Sequence, residues 1–277
     1  MRCITRTIEH DSRSDVFRII PIGDTHLGHI ATDEKLVQRT IDRVKEPDTY
    51  WIGLGDICDS IGRTDKRHTE ESLAPWCHGV NRVFKQQRDK AVEMFQPIGD
   101  KCLGYIMGNH EEKLEAHGTD LYYSVLEGIV DNDDESLAMG MSGFLVLKFQ
   151  RSNGDRKGGT QTFVFYLHHG AGGGRKMGSK AIRLEDLPSS YDADIYIMGH
   201  THTKLAFPAQ RLVPTRTGKL KERELWLCNT GGFMRNTVES TTTYSERAMF
   251  KPLPLGSIEI ELRPGAEDPS EMVRVIQ

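Results

Sequence analysis

The chain has 277 residues, 36 Lys+Arg against 40 Asp+Glu, a formal net charge of −4, and 37% hydrophobic and 27% charged residues. That balance fits a globular chain able to bury its own core and excludes a disordered or strongly cationic one; no apolar run reaches the roughly 18–20 residues that span a bilayer. The first fifteen residues lack the apolar stretch of a secretory signal, and the cysteines at 3, 58, 77, 102 and 228 make no C-x-x-C and no even-numbered framework. A cytoplasmic protein with reduced thiols is therefore expected, with no membrane association and with Cys58 packed in the core.

Six short apolar runs end in small polar clusters. Residues 17–22 (FRIIPI) run into Gly23-Asp24-Thr25-His26, and residues 50–54 into Gly55-Asp56. Residues 103–107 precede Gly108-Asn109-His110, and residues 163–167 precede His168-His169-Gly170. Residues 195–198 lead into Gly199-His200-Thr201-His202, and residues 225–228 into Asn229-Thr230-Gly231-Gly232. Runs of this length, rich in β-branched and aromatic residues and bounded by glycine, predict buried strands. Helices are expected over 33–45, 80–95, 121–129 and 180–187. In the first, Leu36, Val37, Ile41 and Val44 form one apolar stripe. Hairpins are expected from 144–150 with 162–167, across the polar turn 151–161, and around a basic turn at 217–222. A further strand is expected at 257–262. The alternation predicts an α/β layered fold in one domain over 1–277. An insert at about 61–101 is expected to wall or cap a cleft, and a hairpin insert at about 143–167 to extend a sheet edge.

Taken singly the polar motifs are weak, because a chain with 20 Asp and 11 His carries D-x-H and H-x-H by chance. Their context is informative. Carboxyl ends of strands in α/β sheets converge on one edge, where ligands bind, and glycine lets the backbone approach a ligand closely. This places Asp24, His26, Asp56, Asn109, His168, His200 and His202 in one cleft. Seven oxygen and nitrogen donors exceed one tetrahedral ion and suit two divalent ions sharing a carboxylate.

D-x-H at 24–26, G-D-x-x-D at 55–59, G-N-H-E at 108–111, a histidine at 168 and G-H-x-H at 199–202 resemble, in this order, the calcineurin-like metallophosphoesterase superfamily. The resemblance implies a four-layer α/β/β/α sandwich with mixed sheets around a two-metal centre. It implies one ion held by Asp24, His26, Asp56 and His202, and a second held by Asp56, Asn109, His168 and His200, with Asp56 bridging. The family spacing places the ligand two residues before the glycine, which favours His168, leaving His169 to orient a neighbour. Asp59 would orient a ligand or cap a turn. In-line attack on phosphorus by a hydroxide shared between the ions is implied, with His110 as general acid beside Asn109 and Asp56. Manganese is the expected metal, with iron, zinc, nickel and cobalt as alternatives. A phosphodiesterase is the first reading. A DNA or RNA nuclease, a phosphomonoesterase or phosphoprotein phosphatase, and an inactive scaffold are the alternatives. The substrate is a phosphate ester, including nucleotides or nucleic acid.

Residues 171–183 (AGGGRKMGSKAIR) follow the proposed ligand with three consecutive glycines, four cations and no acid. Arg175 and Lys176 are therefore candidates to grip a substrate phosphate. His29 is a candidate substrate contact or a surface side chain; His68, His78 and His117 fall in polar stretches and are expected to be solvated.

Overall fold

A strand that is apolar at nearly every position must be buried on both faces, and that is where these runs lie. The structure, a computed structural model, describes residues 1–277 except 63, 64, 66, 117, 131–134, 153–158 and 240; His117 and much of the turn at 151–161 lie outside the described residues. In chain order the main elements are β1 (Arg2–His10), β2 (Phe17–Ile22), α1 (Glu34–Val44), β3 (Thr49–Gly53), α2 (Val83–Phe95) and β4 (Cys102–Tyr105). They continue with α3 (Asn109–Glu115), α4 (Leu121–Val130), β5 (Ser142–Arg151), β6 (Gln161–His168), α5 (Met177–Asp186) and β7 (Ile195–Met198). The last are β8 (Lys204–Pro214), β9 (Leu220–Thr230), β10 (Glu259–Leu262) and β11 (Val273–Ile276).

The strands form two mixed sheets, one in the order β1-β5-β6-β7-β9-β8 and the other in the order β11-β10-β2-β3-β4. Residue alternation assigns each face. Phe17 and Ile19 of β2, Phe163 and Phe165 of β6, and Ile195 and Ile197 of β7 meet between the sheets in one buried cluster. The opposite faces are covered by helices. Ile20, Ile22, Trp51 and Tyr105 pack with the buried sides of α1, α2 and α4, while Tyr166, Tyr196, Leu225 and Leu227 pack with Leu184 of α5. The architecture is thus α/β/β/α, as expected. Burying each of these large apolar side chains is worth roughly 1.5–3 kcal/mol, so the sandwich is rigid enough to hold loops in unfavourable conformations at its edge.

Helix α1 starts where the sequence predicts it. The Asp33 carboxylate accepts the Leu36 N–H at 3.0 Å, and Val37, Ile41 and Val44 are the buried stripe. Cys58, Cys77, Cys102 and Cys228 are buried free thiols, and burial pushes Cys77 to about 11 and Cys102 to about 12. These groups are inert packing side chains.

The structure departs from the sequence expectation in four places. Strand β1 was not expected. It pairs in parallel with β5 along its whole length, so the β5–β6 hairpin lies inside its sheet and does not extend the edge. As an edge strand with mostly exposed side chains, β1 carries only a weak apolar signal. The turn before β9 closes earlier than 217–222, with the Thr215 N–H donating to the Lys219 carbonyl at 2.7 Å and Leu220 already in the strand. Helix α3 begins directly at Asn109, where the sequence suggested only a strand-end loop. The stretch 61–101 is divided. Ile61, Arg67, Thr69 and Ser72 line the cleft, whereas α2 buries Gln87, Ala91, Met94 and Phe95 in the outer layer.

Candidate metal centre

The loops after β2, β3, β4, β6 and β7 meet at one end of the sandwich. The first two run side by side beyond their strands. Asp24 N–H donates to the Gly55 carbonyl at 2.9 Å, and His26 N–H to the Asp56 carbonyl at 3.0 Å. Thr25 Oγ1 donates to the Ile57 carbonyl at 2.6 Å, and Thr32 Oγ1 to the His26 carbonyl at 2.6 Å. Close approach is obligatory at Gly108, where a Cβ would lie 2.1 Å from Asp56 Oδ1. Asp24, His26, Asp56, His200 and His202 all have φ between 46° and 65°, five of the eight non-glycine residues with positive φ among the described residues. Each such conformation costs about 1–2 kcal/mol. The concentration of that cost at one spot, against a core that can sustain it, marks the spot as functional.

Two sets of donor atoms converge there, and a third group, His26, Asp59 and His110, overlaps the first at His26. Asp24 Oδ1, His26 Nε2 and His202 Nε2 form the first. The two imidazole nitrogens are 3.1 Å apart, and Asp24 Oδ1 is 3.3 Å from His202 and 3.9 Å from His26. The other oxygen, Asp24 Oδ2, accepts the His200 N–H at 2.8 Å, which leaves Oδ1 buried without a hydrogen-bond partner. Asp56, His169 and His200 form the second set, joined by Asn109. His169 Nε2 lies 3.3 Å from Asp56 Oδ2 and 3.2 Å from Asn109 Oδ1. Asp56 Oδ2 is also 4.0 Å from His26 Nε2, so this carboxylate lies between the two sets.

These donors fit metal ions. His169 Nδ1 donates to the Leu54 carbonyl at 2.7 Å, which directs the lone pair of Nε2 at two acceptor oxygens, an arrangement that requires a positive charge between or on them. Separations of 3.1–3.3 Å match the edge between two donors that are each about 2.0–2.2 Å from one ion. The electrostatics agree. Burial opposes charge on Asp24 and Asp56, yet the imidazoles facing them hold Asp24 below and Asp56 well below the usual carboxylate range. Burial pushes His26 down to about 4 and also lowers His200, which leaves both as neutral, lone-pair-bearing rings. Against the same burial, the Asp56 carboxylate holds His169 up at about 10. The field at this nitrogen therefore favours a cation.

His168 stands apart from both sets. The sequence reading favoured it over His169, but its Nδ1 accepts the Gly170 N–H at 2.7 Å. Strand periodicity is the reason. Phe163, Phe165 and Leu167 face the interior between the sheets, His169 continues that parity, and His168 follows Tyr166 onto the other face.

Several contributors act on groups outside their own motif. Glu111, buried at the start of α3, accepts the backbone N–H groups of Asp56 and Ile57 at 2.9 Å and of Gly108 at 3.0 Å. It thereby ties the β3 and β4 loops together and fixes Asp56. Burial and the adjacent Asp56 push its carboxyl up to about 7. Glu111→Gln turns an acceptor oxygen toward amide donors as an NH₂ group, and we expect a loss of about 1–3 kcal/mol, read from the urea midpoint of the metal-free protein at unchanged slope. Asp59 Oδ1 is 3.7 Å from His26 Nδ1, and its carbonyl accepts from His110 Nδ1. His110 Nε2 is thus directed into the cleft, 4.0 Å from Asp56 Oδ2 and 3.2 Å from Arg67 Nη1. Arg67 is held in turn by both oxygens of Asp65 at 2.7 and 3.0 Å.

The cleft over these groups has a volume of about 950 Å³. Arg175 and Lys176 line it, as does His29, which is buried and accepts the Ala31 N–H at 3.0 Å. One wall comes from residues 234–236 and 241–255, whose sequence suggested no chemistry.

The family model described as calcineurin-like phosphoesterase matches residues 17–204. Among solved structures, a conserved uncharacterized protein and predicted phosphoesterase from Streptococcus pneumoniae TIGR4 aligns at 11% identity, covering 95% of this chain and 98% of its own, with a TM-score of 0.35. A metallophosphoesterase from Sphaerobacter thermophilus aligns at 13% identity, covering 94% and 89%, also with a TM-score of 0.35. No curated protein matches the chain. Among the described residues no helix is long and apolar enough to cross a membrane.

Proposed function

The chain belongs to the calcineurin-like phosphoesterase family, and from that premise we propose that it is a dinuclear metal-dependent phosphodiesterase. The observation that carries this reading is the convergence of two His/Asp sets with Asp56 of the second facing His26 of the first, and with the His110 ring at their margin. Asp24, His26 and His202 would hold one ion, Asn109, His169 and His200 the other, and Asp56 both. Manganese suits these imidazole and carboxylate donors. When bound, two such ions supply Lewis acidity that lowers the pKa of water and neutralises charge on the phosphate.

The residues of the chain do the rest. The Asp59 carbonyl accepts a hydrogen bond from His110 Nδ1, which keeps its proton, so Nε2 is the atom left to pass a proton to the leaving oxygen. Arg67, 3.2 Å from that nitrogen, presents a guanidinium where the equatorial oxygens of a phosphate would bind. Arg175 and Lys176 contact substrate in the cleft, and Ile61, Arg67, Thr69 and Ser72 wall it.

The test is hydrolysis of bis-p-nitrophenyl phosphate and of the corresponding monoester by EDTA-treated protein with and without Mn²⁺. Loss of activity on stripping, recovery with Mn²⁺ and preference for the diester are expected. Preference for the monoester would make the protein a phosphatase. Failure both to retain metal and to hydrolyse either ester would overturn the reading in favour of a scaffold.

A further inference from the structure

Two metal ions account for one phosphate, but the cleft offers more positive charge than one phosphate uses. Its lining carries Arg175 and Lys176 before α5, Lys180 on α5, and Arg247 and Lys251 in the C-terminal wall. Its carboxylates, Asp56 and Asp59, both belong to the metal centre. In a chain with more acids than bases, five cations without an outer acid are not a reflection of composition.

Among the described residues none of the five forms an ion pair with a carboxylate. Arg175 lies over the Phe250 ring at 5.8 Å, which joins the loop after β6 to the C-terminal wall. Lys180 is buried, bonds to Thr203 Oγ1 and the Thr201 carbonyl, and has its charge opposed by burial with no counter-ion to offset it. Cations held in a cleft without carboxylate partners focus a field that attracts anions. Around them, Thr242 and Ser245 add hydroxyl donors.

We propose that Arg175, Lys176, Lys180, Arg247 and Lys251 form a second anion subsite, which binds a phosphate of the substrate other than the one that is cleaved. The inference rests on the phosphoesterase reading and narrows it to substrates with at least two phosphates. Oligonucleotide strands and nucleotide polyphosphates share that chemistry, and the spacing of their phosphates separates them.

The experiment is calorimetric titration of Mn²⁺-loaded protein carrying His110→Ala, which slows turnover of the ligands. Thymidine 5′-monophosphate, thymidine 3′,5′-bisphosphate and thymidine 5′-diphosphate are the probes. Binding of at least one two-phosphate ligand about tenfold tighter than the monophosphate is expected. A preference for the 3′,5′-bisphosphate indicates a strand, and one for the 5′-diphosphate indicates a polyphosphate. Arg247→Ala with Lys251→Ala should abolish the preference, and Arg247→Lys with Lys251→Arg should keep it. Because the readout is a ratio between ligands, a general loss of affinity cancels. Equal dissociation constants for all three ligands, or a preference that survives the alanine pair, would overturn the subsite. If the phosphoesterase reading alone fails, neither p-nitrophenyl ester is hydrolysed by the native chain while the ligand preference remains measurable.

Discussion

Replacing His169 with alanine is expected to cost the protein one of its two metal ions and its activity, while His168→Ala retains both. His169 Nε2 faces Asp56 Oδ2 at 3.3 Å and Asn109 Oδ1 at 3.2 Å, with its orientation fixed through Nδ1 by the Leu54 carbonyl. Removing the ring leaves the second donor set short of one imidazole, with two oxygens facing each other across a void. Groups that merely orient a ligand typically change metal affinity about 10–100-fold, so the loss for His169→Ala should exceed about 100-fold. His168 contributes one hydrogen bond from the Gly170 N–H, whose loss is worth about 0.5–1.5 kcal/mol of stability and nothing to the metals. Metal analysis of both variants after dialysis, with hydrolysis of the p-nitrophenyl diester alongside, checks the prediction. Full metal content in His169→Ala and depleted content in His168→Ala would reverse the assignment.

His110→Ala should slow hydrolysis in a way that depends on the leaving group. With its Nδ1–H donating to the Asp59 carbonyl, the ring has only Nε2 to offer the substrate, and that atom opens on the cleft. A sugar or alkyl alkoxide cannot depart at neutral pH without a proton, and a positioned acid is worth about 10²–10⁴-fold there. A p-nitrophenolate departs unprotonated, so the same variant should lose far less on bis-p-nitrophenyl phosphate. Turnover of a dinucleotide diester and of the p-nitrophenyl diester at equal metal content gives the comparison. Equal losses on the two would assign His110 to holding the phosphate instead of protonating the leaving oxygen. The backbone N–H of His110 bonds to Asp56 Oδ1 at 2.9 Å whatever the side chain, so the variant keeps that support of the metal centre.

Both predictions depend on features of different legibility. Strand ends flanked by glycine and followed by Asp, His or Asn were readable because the cause is local. A run buried on both faces must be apolar throughout, and the chain must turn sharply where it leaves the sheet. Asp24, His26, Asp56, Asn109, His200 and His202 were located in this way, and the structure brings them together. The amphipathic stripe and the Asp33 cap of α1 were equally local.

His168 and His169 show where local reading ends. Alternation says that two adjacent histidines face opposite ways, but not which of them faces inward, since that is set by the packing of β6 against the opposite sheet. Glu111 and Asp59 fall within sequence motifs, but the groups they hold lie as far as 55 residues away, so spacing does not say which groups those are. The C-terminal wall is visible only once residues 234–236 and 241–255 are placed against the cleft. The sequence by itself determined the layered fold, the strand ends and most of the donor atoms, because short-range periodicity and glycine placement dictate them. Tertiary structure alone decided the inward face of β6, the partners that hold Asp56 and His110 in place, and the charge of the cleft, because each depends on contacts between segments distant in the chain.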